Sequence, residues 1–140
     1  MDKKLVSAAR KAAKGLYKAL PILLGVILLI SLVNTLIPKN IYSSLFSQNI
    51  ILDSAIGSAL GSIFAGNPIT SYVLGGEFLK QGVSLVAVTA FIVAWVTVGI
   101  VQLPAEITLL GRKFAIARNI TAFVFAIIVA IIIVLIMGII

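Results

Sequence analysis

The feature that most constrains the fold is an almost unbroken apolar run over residues 119–140, made largely of isoleucine, valine, alanine and phenylalanine. As a helix, a run of this length matches the hydrocarbon core of a bilayer, about 30 Å thick. Two further apolar runs cover residues 19–37 and 83–104. Transmembrane barrel strands alternate apolar and polar residues, and these runs do not. The sequence therefore predicts an all-α integral membrane protein with three transmembrane helices.

The overall composition agrees with a membrane protein. Hydrophobic residues make up 61% of the chain and charged residues 11%, with a mean hydropathy of +1.24. A soluble domain of this size has too much surface to bury so many apolar side chains. The chain also lacks Cys and His, the residue types needed for thiol catalysis, Ser-His-Asp catalysis and most zinc sites. We therefore expect neither an enzyme nor a metal or cofactor site.

Basic residues are concentrated in two places. The chain has eleven Lys and Arg against four Asp and Glu. Six of the basic residues fall within residues 1–18, and Arg112, Lys113 and Arg118 precede the last apolar run. Residues 1–18 are predicted to be a basic amphipathic segment, either an interfacial helix on anionic lipid or a solvated tail that only sets topology. Residues 19–140 are predicted to form a single transmembrane domain. Aromatic residues do not alternate with these cations, so nucleic acid is not an expected partner.

The most informative stretch is residues 51–80, which the motif Gly66-Asn67-Pro68 interrupts. Asn is a favoured helix N-cap, and Pro is favoured at the first helical position. The motif therefore predicts one short helix over residues 51–65 and a second over residues 68–80. As one straight helix the stretch would be about 45 Å long, which exceeds the hydrocarbon core, while the second helix alone is too short to cross it.

Two arrangements of this stretch in the membrane are open. If it crosses once, the basic N-terminus and the basic cluster at residues 112–118 lie on opposite sides. If it enters and returns as a re-entrant hairpin, both lie in the cytoplasm, as the positive-inside rule favours. Length and charge together favour the hairpin, with a discontinuous crossing as the alternative. We expect a multi-pass protein of the cytoplasmic (plasma) membrane with a cytoplasmic N-terminus.

The tip of the broken pair is the candidate substrate site, near the membrane midplane. The second helix offers free backbone N–H groups and a positive dipole end there, and broken helices in transporters hold anionic or polar substrates in this way. The alternative is a structural kink satisfied by neighbouring helices. The predicted substrate-binding residues are Asn67, Pro68, Thr70, Ser71, Ser58, Ser62 and Gln102.

Small residues in the first half of the broken pair favour close packing. Gly57 and Gly61 form a Gly-x-x-x-Gly motif, which more often lets two helices approach than lines a pore. Trp95 lies near the centre of its predicted span rather than at an interface. We expect its ring inside the bundle or against a cavity.

Two acids, Glu77 and Glu106, are the candidates to carry a proton or a cation. The favoured interpretation is different: both lie at the interface and form ion pairs, with Lys80 and Arg112 as the available partners. In such a pair the basic side chain balances the charge of the acid, so no transported ion is required.

The stretch GNPITSYVLGGEFLKQGVSLVAVTAFIVAWVTVGIVQLPAE, residues 66–106, resembles the repeat of the ArsP-like predicted permeases. It shares a proline-centred turn, a short helix that ends in a Lys-x-Gly turn, Lys80-Gln81-Gly82, and an apolar span closed by proline. The resemblance covers about residues 50–120. Longer members look like two such units, so this chain resembles a half-length member. The resemblance implies a permease fold and export of small solutes, organoarsenicals in the named members.

The chain departs from the arsenical-type members directly after the turn proline. Those members place Cys there, whereas this chain has Ile69, Thr70 and Ser71. Trivalent arsenic favours thiolate ligands, so a small polar or anionic solute is the better expectation. Three spans and one hairpin are too few to enclose a path, so we expect a homo-oligomer, a dimer or higher, or a paralogous half-permease as partner. The alternative function is a non-transporting membrane scaffold or accessory subunit.

Overall fold

A computed structural model of the chain describes residues 3–36, 44–64 and 68–139. Within these ranges the chain is helical and contains no strand, and it divides into two compact units, residues 1–37 and 38–140. The first unit contains α1 (Lys3–Leu36). The second unit contains the other five described helices, which are α2 (Ile50–Ile63), α3 (Pro68–Lys80), α4 (Leu85–Thr97), α5 (Leu103–Leu110) and α6 (Arg112–Ile139).

The N-terminal helix is continuous. Helix α1 runs without a break from Lys3 to Leu36, so one helix includes most of the basic segment over residues 1–18 and most of the predicted span over residues 19–37. Pro21 therefore lies inside a helix rather than at its first position. The strong helix formers Lys18, Ala19 and Leu20 precede this proline, two leucines follow it closely, and the helix continues through it.

The broken stretch consists of two short helices, as predicted. Asn49 caps α2 through its side-chain oxygen, which accepts hydrogen bonds from the backbone N–H groups of Ile51 at 3.1 Å and Leu52 at 3.3 Å. The helix ends at Ile63, and α3 begins at Pro68. The predicted turn residues Gly66 and Asn67 lie outside the described residues.

The direction of the chain reverses between α2 and α3. Gly57 lies against Ala87, and Gly61 lies against Phe91. Residue numbers therefore increase in the same direction along α2 and α4, so these two helices are parallel. In α3, by contrast, Gly75 lies against both Val88 and Ile92, and the short turn at residues 81–84 joins α3 directly to α4. Helix α3 is therefore antiparallel to α4, and both arms of the broken pair pack on this one helix.

Glycine allows α2 and α4 to touch backbone to backbone. A Cβ atom built on Gly57 would come within 2.8 Å of the carbonyl carbon of Ala87, and one built on Gly61 within 3.0 Å of the carbonyl carbon of Phe91. Neither gap accommodates a methyl group without a shift of the backbone. The predicted role of the Gly-x-x-x-Gly motif in close packing is confirmed.

The apolar run over residues 83–104 is not one helix, contrary to the prediction. Helix α4 ends at Thr97, Val98 is extended, and α5 begins only at Leu103. One tertiary contact and one local cause act together. The backbone N–H of Gly99 donates to the side chain of Asn119 at 2.8 Å, and Pro104 has no N–H with which to continue a helical ladder.

The residues between the last two apolar runs, 105–118, which include the basic cluster, are also largely helical. Helix α5 ends at Leu110 and is capped by Gly111, whose φ of +86° suits glycine, and α6 begins at Arg112, ahead of the predicted start of the last span. Helix α6 runs antiparallel to α4, since Ala130 packs near Val86 and Ala126 near Val98. Among the described residues, Arg112–Gly138 is the one helix long and apolar enough to cross a membrane.

Candidate functional site

The first turn of α3 places two hydroxyl side chains in the interior. Thr70 is 6% exposed, and Ser71 is fully buried. The Ser71 hydroxyl donates to the backbone carbonyl of Pro68 at 2.7 Å, so this group is already paired within its own turn. Pro68 itself is exposed at the start of the helix. Asn67, the predicted cap and central site residue, lies outside the described residues.

Helix α2 carries a stripe of three serines, Ser54, Ser58 and Ser62, and all three are buried. Ser54 and Ser62 each donate to a backbone carbonyl of the preceding turn, at 3.0 and 2.7 Å. Ser58 is fully buried, and its hydroxyl has no hydrogen-bond partner among the described residues. Because a buried unpaired hydroxyl costs free energy, Ser58 is the member of the stripe with unused bonding capacity.

Four aromatic rings pack around the interior face of α4. Phe64, at the end of α2, stacks on Trp95 with ring centroids 5.2 Å apart and an interplanar angle of 7°. Phe91 meets Trp95 edge to face at 5.4 Å and Phe78 of α3 at 5.3 Å. The predicted burial of Trp95 is confirmed at 7% exposure, and within the described part of the chain its indole N–H has no hydrogen-bond partner.

These contacts show where the end of α2 lies along α6. Phe64 lies at the level of Trp95, whose neighbours Ala94 and Val98 pack against Ala126 of α6. At 1.5 Å per residue, Ala126 lies about 10 Å from Asn119 and about 18 Å from Gly138. The end of α2 is therefore nearer to the Asn119 end of this apolar helix than to its other end.

A groove of about 440 Å³ opens beside this level, between α2 and α6. Its walls are mostly apolar, with Phe123 and Ile63 among them, and its polar side chains are Ser62 and Asn119. Gln102 does not line the groove. It lies exposed in the turn before α5, so its predicted part in substrate binding stays a prediction.

A polar cluster closes the same end of the bundle. Arg118 donates to both carboxylate oxygens of Glu106, and Asn119 donates to the same carboxylate at 3.0 Å. The side-chain oxygen of Asn119 accepts the Gly99 N–H. Glu106 is therefore paired, as favoured, but with Arg118 rather than Arg112. Glu77 forms the expected pair with Lys80, at 2.7 Å.

A third acid, Asp53, was not singled out from the sequence and is fully buried at the opposite end of the bundle. Its carboxylate accepts hydrogen bonds from the Ser84 hydroxyl at 2.5 Å and from the Ser47 N–H at 3.1 Å. Ser84 is the N-cap residue of α4, yet its side chain makes no capping bond because it is committed to Asp53. Asp53 thus ties together the N-terminal ends of the parallel helices α2 and α4. No sequence signal identified this role, since the contact joins residues far apart in the chain.

The comparison with known proteins agrees with the resemblance. The sequence model of the ArsP-like family, described as a predicted permease, matches residues 6–138. The match extends beyond the stretch of residues 50–120 and includes most of α1. No curated protein and no solved structure matches the chain.

Proposed function

The chain belongs to the ArsP-like family of predicted permeases, and on that premise we propose that it is a membrane permease subunit that moves a small polar or anionic solute past the tip of the broken helix pair. Membership of a permease family makes it a membrane protein with a transporter-like role. The identity of the site, the path and the topology are our proposal.

The observation that carries the proposal is the reversal of the chain between α2 and α3. Helices α2, α3 and α4 are each only about 20 Å long at 1.5 Å per residue, shorter than a bilayer core of about 30 Å. Irregular backbone at membrane depth is tolerated only where protein or a watery cavity covers it. A re-entrant hairpin, with its tip inside the membrane and its open ends at one surface, accounts for the reversal of the chain and for the short helices.

The chemistry of the tip favours a polar or anionic solute. The start of α3 presents backbone N–H groups and the positive end of a helix dipole. Ser58 adds a buried hydroxyl with unused bonding capacity. The described end of α2 lies at the level of Ala126, and we therefore propose a site displaced from the midplane toward the end of the bundle that holds Arg118 and Glu106. The chain has no Cys, which disfavours a thiolate-bound arsenical as the solute.

Charge supports a topology with both basic clusters in the cytoplasm. The hairpin then enters from the outer surface of the plasma membrane, and its tip approaches the cytoplasmic side. Only 11% of the most apolar window of α6 is buried within the chain, so most of that helix is left for lipid or another subunit. We infer that a second copy, or a paralogous half-permease, completes the solute path.

The decisive experiment measures flux through the protein reconstituted in vesicles, with a screen of oxyanions and small polar metabolites to find the solute. Asn67→Asp adds a carboxylate to the predicted tip and retains the predicted cap acceptor, while Asn67→Ala removes that acceptor at an expected cost of about 1 kcal/mol. For an anionic solute we expect Asp to abolish flux more completely than Ala, because the added charge repels it.

The matched control is Asn49→Ala, which removes the observed asparagine cap at the start of α2, the end of that helix away from the break. It should cost similar stability and leave the flux per folded molecule unchanged. If the Asn67 variants and the control transport equally, with oligomer size intact, the tip is architecture and not the site. If no solute is transported by the wild type, a scaffold or accessory subunit becomes the better interpretation.

A further inference from the structure

The groove between α2 and α6 has a volume of about 440 Å³, which is within the usual range of ligand sites. The proposed solute path at the hairpin tip does not use it. Its walls are mostly apolar and include Ile63, Ile120 and Phe123. Because Ile120 is 61% exposed, the groove opens away from the core of the bundle.

The two polar side chains that line the groove are already paired within the chain. The Ser62 hydroxyl donates to the backbone carbonyl of Ala59 at 2.7 Å. Asn119 uses both amide hydrogens and its side-chain oxygen in hydrogen bonds to other groups of the chain. A polar solute would lose its hydrating water in the groove and gain no side-chain donor in return. The groove therefore favours an apolar ligand.

Two exposed basic residues lie on the same side of α6 as the groove. Residues seven apart are separated by two helical turns and share a face. Arg112 is therefore in line with Asn119, and Lys113 with Ile120, each about 10 Å nearer to the start of the helix. Neither Arg112 nor Lys113 forms an ion pair among the described residues. This basic pair thus presents unbalanced positive charge beyond one end of an apolar groove.

We propose that the groove binds an acyl chain of an anionic phospholipid, and that the lipid headgroup lies against Arg112 and Lys113. The basic pair precedes the apolar run of residues 119–140, and the groove lies at the first turns of that run. Long basic side chains at the end of a membrane helix reach the interface, and basic pockets on membrane helices bind anionic headgroups. The inference requires a membrane but no transported solute, so it does not depend on the proposed function.

Two other occupants fit the groove less well. A free anion would be attracted by the basic pair, but it has no apolar part to place in the groove. The positive-inside rule inserts a second copy of the chain in the same direction. That copy would bring its own Arg112 and Lys113 to the same level, where like charges repel. An anionic lipid complements both the charge and the apolar walls.

Native mass spectrometry of the full-length protein tests the choice of lipid. We would compare phosphatidylglycerol, which is anionic, with zwitterionic phosphatidylcholine of the same acyl chains. Each of the two basic residues should contribute about fivefold, so we expect saturable binding of phosphatidylglycerol that is about thirtyfold tighter. Equal affinities, or no saturable binding, would overturn the proposal. Displacement of the lipid by inorganic phosphate would also overturn it, since an anion alone would then occupy the basic pair.

Charge variants test the position of the headgroup. Arg112→Gln combined with Lys113→Gln should weaken phosphatidylglycerol binding about thirtyfold and leave phosphatidylcholine binding unchanged. The matched control is Lys4→Gln combined with Lys11→Gln, which removes two exposed cations from α1 and changes the net charge equally. It should leave both affinities unchanged. Equal losses in the two double variants would show a non-specific attraction and refute the site.

A filled groove tests the position of the acyl chain. Ala59 is exposed and lines the groove, so Ala59→Phe should abolish saturable binding of phosphatidylglycerol. Ala117→Phe makes the same change at an exposed position of α6 outside the groove and should leave binding intact. Unchanged binding in Ala59→Phe would refute the proposal. A smaller oligomer with lipid binding retained would refute it too, because a second copy would then fill the groove. If Ala59→Phe does not fold, the charge variants decide.

Discussion

The contact between α2 and α4 can be tested by adding a single methyl group. In Gly57→Ala the new Cβ would overlap the carbonyl group of Ala87, whose carbon would be 2.8 Å away. Overpacking of this kind typically costs about 1–3 kcal/mol. Alanine in place of a helical glycine also gains about 0.5–1 kcal/mol in helix propensity, so the variant by itself gives a mixed result.

Gly76→Ala is the matched control. Gly76 also lies inside a helix, α3, and a Cβ built there meets no atom within 4 Å. The gain in propensity is the same in both variants, so the difference between them isolates the cost of the overlap, about 1–3 kcal/mol. We would compare thermal unfolding of both variants in detergent by circular dichroism. We expect Gly76→Ala to unfold above the wild type and Gly57→Ala clearly below Gly76→Ala; equal unfolding temperatures would refute the backbone contact.

Three further predictions concern the charged residues. Glu106→Gln should lower the free energy of unfolding by about 1–3 kcal/mol, because Arg118 and Asn119 both donate to this carboxylate. Glu77→Gln should cost at most about 1 kcal/mol, because its partner Lys80 is 72% exposed. Equal losses in a denaturation assay would contradict this ranking. Asp53→Asn should cost about 1.5–3 kcal/mol, and Ser84→Ala should cost less in that background than in the wild type, as measured by a double-mutant cycle; additive losses would show that the two residues do not interact. In this Cys-free chain, Lys80→Cys should react with an impermeant thiol reagent from outside the cell and Lys113→Cys only from inside; cytoplasmic labelling at position 80 would exclude a re-entrant hairpin.

Local chemistry in the sequence was enough to predict the broken helix pair. Proline at the first helical position determines where α3 begins, and the helix does begin at Pro68. The Gly-x-x-x-Gly spacing places Gly57 and Gly61 on one face of α2, and that face is the one in contact with α4. The permease family could also be recognised from the sequence, because the order of turn, short helix and apolar span lies along a continuous stretch of chain.

Features that depend on partners distant in the chain could not be predicted in this way. The apolar run over residues 83–104 carries a helical signal throughout, but Asn119 of a later helix captures the N–H of Gly99 and α4 ends before it. Arg118 reaches Glu106 because α5 packs back on α6.

What the sequence by itself determined is a set of apolar helices and one break, since propensity, capping and hydrophobicity act between neighbouring residues. Only the tertiary structure decided the relative directions of α2 and α3, the position of Phe64 on the ring of Trp95 and the partner of each acidic side chain. These depend on which helix faces which, and the order of residues along one helix carries no information about the helix that packs against it.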